Sequence, residues 1–259
     1  RAVDDAQALA LEYRHAAAYT LYGKPDRKPA PTSWPWGPLT DTTLYSPTAV
    51  QAQPLTHYAD GLGWLLARSS WRDDATHLSF KAGDNYWSHS HLDQGSFTLY
   101  KGAPLALDSG CYCGYGNDHH LNYHYQTIAH NTVTVTDPTD TLPMPVRQGK
   151  KPRLIANDGG QRRIGSGWDL RPAPLDIDDW RRNYDDFHTG RLVKVVEQDG
   201  LLIALTDITA AYTSEQTGAH SFHHRTRRVE RAWRIFVYDR AADVLVVQDT
   251  LESTRADFT

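Results

Sequence analysis

An antiparallel β-sandwich with one helix ahead of it is the fold this sequence predicts, and three observations predict it. Short runs rich in β-branched and aromatic residues recur between turn residues over most of the chain. A tight hairpin signal, Gln198-Asp199-Gly200-Leu201, separates two of those runs. The segment with clear helix composition is residues 4–22, DDAQALALEYRHAAAYTLY, rich in Ala and Leu, with Asp4 and Asp5 at the end where the helix dipole favours negative charge.

That helix stops at Gly23. The following KPDRKPAPTSWPWGP holds five prolines, which forbid continued helix and suit an extended linker over 23–50, with Trp34 and Trp36 pinning it to a surface. From 51 to 259 the strand candidates are GWLLARSSW, THLSFKAG, GSFTLYKG, NTVTVTD, RLVKVVEQDG, LLIALTDI, RRVERAWRIFVYD and DVLVVQDTLE. Residues 158–190 carry Gly, Pro, Asp and Arg without a period and read as a long excursion. A lone helix has nothing to pair with, and the last strand runs to Thr259 without a polar tail. The chain therefore reads as a piece of a larger or processed protein, with the sandwich incomplete at its C-terminal end.

Composition narrows the function. The 259 residues hold 27 Lys and Arg against 31 Asp and Glu, a net charge of -4, so no global basic field argues for nucleic acid or an anionic membrane. No run approaches the roughly 20 apolar residues of a membrane span, and RAVDDAQALALEY lacks the layout of a signal peptide. Cys111 and Cys113 are one residue apart, too close for an ordinary disulfide in an extended segment and too few for a cysteine-based zinc site; they read as small half-buried residues.

Chemistry concentrates in residues 85–138. NYWSHSHLDQGSF places His89, His91 and Asp93 at alternate positions, which share one face of an extended segment and so can converge on a metal or on a proton in transfer. Asp108 follows an apolar strand at the Ser109-Gly110 turn, and His130 precedes NTVTV. Zinc takes neutral imidazole nitrogens and carboxylate oxygens, so some of His89, His91, Asp93, Asp108 and His130 suit a metal site; hydrogen-bonded polar residues at a sheet rim are the alternative. The segment from His119 to Tyr125, HHLNYHY, is the best local supply of groups for a binding cleft, with His119, His120 and His124 otherwise solvated loop residues. Arg225, Arg227, Arg228, Arg231 and Arg234, preceded by His220, His223 and His224, form the strongest basic cluster, which suits an anionic sugar or simply the solvent face of a strand.

These motifs carry a resemblance. His89-Ser-His91-Leu-Asp93-Gln-Gly95-Ser-Phe97, then Gly102-Ala-Pro-Leu-Ala-Leu-Asp108-Ser-Gly110 with Tyr112, then Asn122-Tyr123 and Thr127-Ile-Ala-His130-Asn131-Thr-Val look like the heparinase II/III-like polysaccharide lyases and their alginate lyase relatives. The match is dense from about residue 60 to 138. The resemblance implies an (α/α) toroid followed by antiparallel β-sheets, of which residues 1–22 would be the toroid's last helix. It implies a polysaccharide lyase acting by β-elimination on a uronic acid polymer, alginate or glycosaminoglycan-like, with alginate favoured over heparin by the NYHYQTIAHN segment, with zinc held by His91, Asp108 and His130 and with His89 in the catalytic cleft. Asp93 would orient a histidine or a turn residue. Tyr123 or Tyr125 would match the family's substrate-reaching tyrosine, and Asn122, His124, Arg225 and Arg227 are the candidate sugar contacts. Further catalytic groups would come from the toroid, supplied by the missing N-terminal part or by a second chain, and a homo-oligomer stays open. Periplasmic or secreted localisation follows from the resemblance alone. Two other classes fit the same residues: a cupin-type metal oxygenase or isomerase, told apart by bound iron and a need for oxygen, and a carbohydrate-binding module that binds sugar without turnover.

Overall fold

The computed structural model describes residues 51–85, 90–111, 114, 117–137, 141–144, 153–156, 159–162, 174–213 and 227–258, with backbone alone at 141–144, 153–156 and 186. By its contacts the chain divides into two compact units, residues 1–55 and 56–259. The expected helix and proline-rich linker lie outside the described residues, which fall almost wholly in the second unit.

Two antiparallel sheets form its body, a mainly β fold of sandwich type. The first contains, in spatial and sequence order, β1 (Thr56–Ala59), β2 (Trp64–Arg68), β3 (His77–Lys81), β4 (Phe97–Lys101) and β5 (Ala103–Ala106). A separate hairpin pairs β6 (Thr141–Met144) with β7 (Arg153–Ala156). The second sheet is built from β8 (Arg191–Gln198), β9 (Leu201–Asp207), β10 (Val229–Asp239) and β11 (Val244–Ser253), each paired with the next in sequence. Two short helices, α1 (Ile177–Arg182) and α2 (Tyr184–Phe187), precede β8, the first capped by the Asp176 carboxylate accepting from the Asp179 N–H at 2.7 Å.

Alternation along the strands decides which face is buried. Leu65 and Ala67 of β2 and Phe80 of β3 point inward, as do Leu202 and Ala204 of β9 and Phe236 and Tyr238 of β10. The two faces meet at Phe236, whose ring centroid lies 3.7 Å from Phe80 and 5.6 Å from Phe97. Truncating such a buried phenylalanine to alanine costs about 3–5 kcal/mol, so this contact is central to holding the sheets together.

The hairpin signal is realised. Asp199 and Gly200 adopt φ of 52° and 82° between the paired residues Gln198 and Leu201, the left-handed turn that matches strand twist. NTVTV, by contrast, forms no strand. Its inward and outward alternation is present, with Val135 2% exposed and Thr134 at the surface, but side chains take its carbonyls where a ladder would: Tyr212 donates to the Val133 oxygen and Arg228 to the Val135 oxygen. Alternation reports burial, and a strand also needs a neighbouring backbone.

Candidate active site

The loop 82–96 joins β3 to β4 and carries most of NYWSHSHLDQGSF, with His89, His91 and Asp93. It leaves the sheet through a close backbone approach: a Cβ on Gly83 would sit 2.5 Å from the Leu62 oxygen, and one on Gly63 2.1 Å from the Ala82 oxygen. It returns through a turn in which the Ser96 N–H donates to the Asp93 oxygen at 3.0 Å, with Gly95 at φ 78°. Between them the Leu92 N–H reaches the Tyr125 oxygen at 3.1 Å, which brings His91 under the 120–130 segment. From the other side the Ser109 N–H donates to the Ala129 oxygen at 2.7 Å and lays Asp108 beside His130.

His91, Asp108 and His130 therefore come together. Nδ1 of His91 is 3.2 Å from Nε2 of His130, and Nδ1 of His130 is 3.0 Å from Oδ1 of Asp108. The second pair is close enough for the charges to interact yet misaligned for a hydrogen bond, and that buried Nδ1 has no hydrogen-bond partner. Burial first, and then the neighbouring His130, push the His91 imidazole down to about 4, so it is neutral at physiological pH. Burial alone would raise the Asp108 carboxyl, but the adjoining His130 and the fields of His91 and His124 outweigh it and hold the group below the usual carboxylate range.

Two imidazoles, a carboxylate and donor atoms about 3 Å apart suit zinc chemically, since zinc–nitrogen bonds of about 2.0–2.1 Å place tetrahedral ligands at similar spacing. The three donors do not surround one point, however, because the two close approaches use opposite nitrogens of His130. Among the described residues no group of three or more His, Cys, Asp or Glu is arranged as a complete metal site.

Residues 120–124 form one turn of π-helix, a geometry frequent at functional sites. It presents Asn122, Tyr123 and His124 half-buried while Leu121 and His120 face inward. His120 is 3% exposed and packs edge-on against Tyr125 at 5.1 Å, so it is a core residue where the sequence suggested a solvated one. Tyr125 is buried too, 4.8 Å from the His91 ring. The Tyr123 hydroxyl lies 2.7 Å from the exposed Ser109 hydroxyl. Burial, and then His130, lower the pKa of His124.

Other expectations meet different partners. Asp93 pairs with Lys81 of β3 at 2.6 Å, and its charge also acts on His91, against the effects of burial and His130. The basic cluster separates by burial: Arg234 of β10 and Arg228 just before it are buried, the latter pushed by burial down to about 10. Arg227 pairs with Glu230 at 2.5 Å, and Arg231 lies over the exposed Trp233 at 5.4 Å. Cys111 is exposed. His89, Tyr112, Cys113, His220, His223, His224 and Arg225 lie outside the described residues. Sequence reasoning passed over Gln94, which is fully buried and accepts from the Gly83 N–H at 2.9 Å, although it stands inside the quoted motif. A polar side chain next to Gly in a loop was its only signal. Ser109, the partner of Tyr123, was likewise read only as a turn residue.

A β-sandwich with a His, Asp and Tyr site beside one sheet defines the class. The family described as heparinase II/III-like, C-terminal, matches residues 53–257, and the chain belongs to it. A heparin-sulfate lyase from Bacteroides stercoris is 39% identical over 79 residues, 29% of this chain and 12% of that protein. A heparan sulfate lyase from Pedobacter heparinus aligns with 94% of this chain and 28% of its own at 14% identity and a TM-score of 0.48. A heparinase III aligns with 77% of this chain and 23% of its own at 17% identity and a TM-score of 0.43. The chain thus spans about an eighth of the curated relative's length. Among the described residues no helix is long and apolar enough to cross a membrane.

Proposed function

We propose that this chain is the β part of a polysaccharide lyase that cleaves a uronic-acid-containing polymer by β-elimination, with zinc bound by His91, Asp108 and His130. The observation that carries the reading is the meeting of these three side chains, beside a surface tyrosine, in a chain of this family. The name of the curated relative favours a heparin-like glycosaminoglycan over alginate.

β-Elimination needs the uronate carboxylate neutralised, so that the C5 proton becomes acidic, a base to take that proton and an acid to protonate the departing O4. Tyr123 suits the acid or base role better than Tyr125, because its hydroxyl is at the surface on Ser109 while Tyr125 is packed inside. Asn122 and His124 stand beside it to bind the sugar and its carboxylate. His89 is assigned to the cleft by its place in the motif, and Arg225 and Arg227 to the outer polymer charge. Zinc, when bound, supplies a cross-link between the 82–96 loop and the Asp108 and His130 turns, with no part in the proton transfers. An (α/α) toroid from another part of the protein completes the cleft, and an anionic polysaccharide outside the cytoplasm, periplasmic or secreted, is the partner.

The test is absorbance of the new C4=C5 double bond when the full-length protein meets alginate, heparinoid and chondroitin-type polymers. Activity on one or more supports the reading. Silence across the panel, with sugar binding intact, replaces it with a non-catalytic carbohydrate-binding role.

A further inference from the structure

Within the stretch 158–190, which shows no pattern in sequence, residues 161–162 and 184–189 are bound to the base of the loop that carries His89 and His91. The Thr189 hydroxyl donates to the Gly83 oxygen at 2.7 Å, the Asn85 N–H donates to the Phe187 oxygen at 3.1 Å, and between them Nδ1 of His188 lies 2.8 Å from Oδ1 of Asp84. Asp84 and His188 are 9% and 19% exposed at their side chains. The Tyr184 hydroxyl is also 2.8 Å from that Nδ1, and its ring stacks on the imidazole at 4.7 Å, which fixes the rotamer of His188.

The anchor of this brace is rigid. Phe187 is fully buried, and Arg162, 6% exposed, donates to the Asp185 and His188 oxygens. Its neighbour Gln161 grips the other end of the loop, accepting from the Gln94 N–H at 2.8 Å and donating to the Gln94 oxygen at 2.9 Å. Gln94 closes the base by accepting from the Gly83 N–H at 2.9 Å and donating to Asn85 at 3.2 Å. Both ends of the loop are therefore held by buried, mutually satisfied polar groups, which specify one backbone path.

We propose that His188 is a positioning residue that, through Asp84, sets the placement of the 82–96 loop and hence of the histidine motif; its effect on turnover rests on the lyase reading. A misplacement of order 1 Å is enough to cost about a hundredfold in rate, whereas groups that bind the polymer elsewhere are untouched.

The experiment uses the full-length protein with His188→Ala and His188→Asn. The Asn amide nitrogen stands as many bonds from the backbone as the imidazole Nδ1 and can donate to Asp84 in its place. His188→Ala is expected to lower kcat about tenfold or more with KM within about twofold, and to speed amide exchange over 82–96 while leaving β10 and β11 protected. His188→Asn is expected to restore both. Unchanged exchange over 82–96, exchange raised evenly over both sheets, or an Asn variant no better than Ala would overturn the proposal. If wild type cleaves no uronate polymer, the lyase reading fails and amide exchange alone decides the brace.

Discussion

Arg234 is bound to Asp249 through two hydrogen bonds, Nε to Oδ1 at 2.6 Å and Nη2 to Oδ2 at 2.8 Å, and its remaining nitrogen reaches into the site. Nη1 donates to the Gly95 oxygen at 2.7 Å, in the loop that carries His91, and to the Asn131 oxygen at 2.8 Å, next to His130. A residue that the sequence offered as a sugar contact thus ties the second sheet to both site loops. Arg234→Ala strands a carboxylate and two carbonyls. The expected loss is about 2–4 kcal/mol by urea unfolding, at the lower end of buried-pair values because Asp249 is a third exposed. Asp249→Asn, which keeps an acceptor, is expected to cost about 1 kcal/mol.

Two glycines with left-handed backbone separate strain from collision. Gly200, at φ 82°, has open space where a Cβ would be, so Gly200→Ala is expected to cost only its conformational strain, about 1–2 kcal/mol. Gly63, at φ 61°, would place a Cβ 2.1 Å from the Ala82 oxygen, which is backbone and cannot move aside. Gly63→Ala is expected to cost several kcal/mol more than Gly200→Ala, read as the difference in unfolding midpoint of the two variants. Equal losses would mean that the Gly63 crossing relaxes.

The second sheet is the most legible part of the chain, because β8 to β11 are long and alternate regularly, and Asp199-Gly200 announces its own turn. Short elements are hidden by their length: β1 and β5 have four residues each, too few to establish a period. The site is legible where residue type dictates chemistry, as at His91, Asp108 and His130. It is not legible where an uncharged side chain does the holding. Gln94, Gln161 and Ser109 announce nothing, since amides and hydroxyls serve as readily in water as in a buried network. Charge patterning also misleads around β10, where Arg234 within the strand and Arg228 just before it are buried against carbonyls and a carboxylate.

Asp243 makes the fold sensitive to acid. Its carboxyl takes hydrogen bonds from Lys101, Tyr238 and Thr76, and these, the lysine's above all, hold it below the ordinary carboxylate value. A carboxyl lowered in the folded state contributes stability that is complete above its unfolded value of about 3.9 and is lost as pH falls through the lower folded value. Asp243→Asn is expected to be less stable than wild type at pH 7 and to approach it as pH falls through the lowered folded value. Parallel stability curves for the two, followed by urea unfolding from pH 7 to 2.5, would contradict this origin.

Tyr123 and Tyr125 should part in kinetics. If Tyr123 carries a proton in the elimination, Tyr123→Phe lowers kcat by about 10²–10⁴ while leaving the stability within about 0.5 kcal/mol of wild type, because among the described residues its hydroxyl bonds the exposed Ser109. Tyr125→Phe keeps the buried ring against His91 and His120 and is expected to retain activity within a few fold. The reverse order would move the proton transfer to Tyr125.

The metal proposal has a direct measurement in protein purified without chelator or added metal. About one zinc per chain by mass spectrometry, lost in His91→Ala and in His130→Ala, is the expected result. Asp108 discriminates further. As placed, its carboxylate faces Nδ1 of His130, while His91 faces the opposite nitrogen. If Asp108 is itself a ligand, Asp108→Ala abolishes zinc binding. If it only orients His130, Asp108→Ala retains zinc with affinity reduced about 10- to 100-fold, the usual cost of losing an outer-shell carboxylate. Stoichiometric iron would move the site toward oxygen chemistry, and no metal in any variant would leave His91 and His130 as a pair whose work is packing.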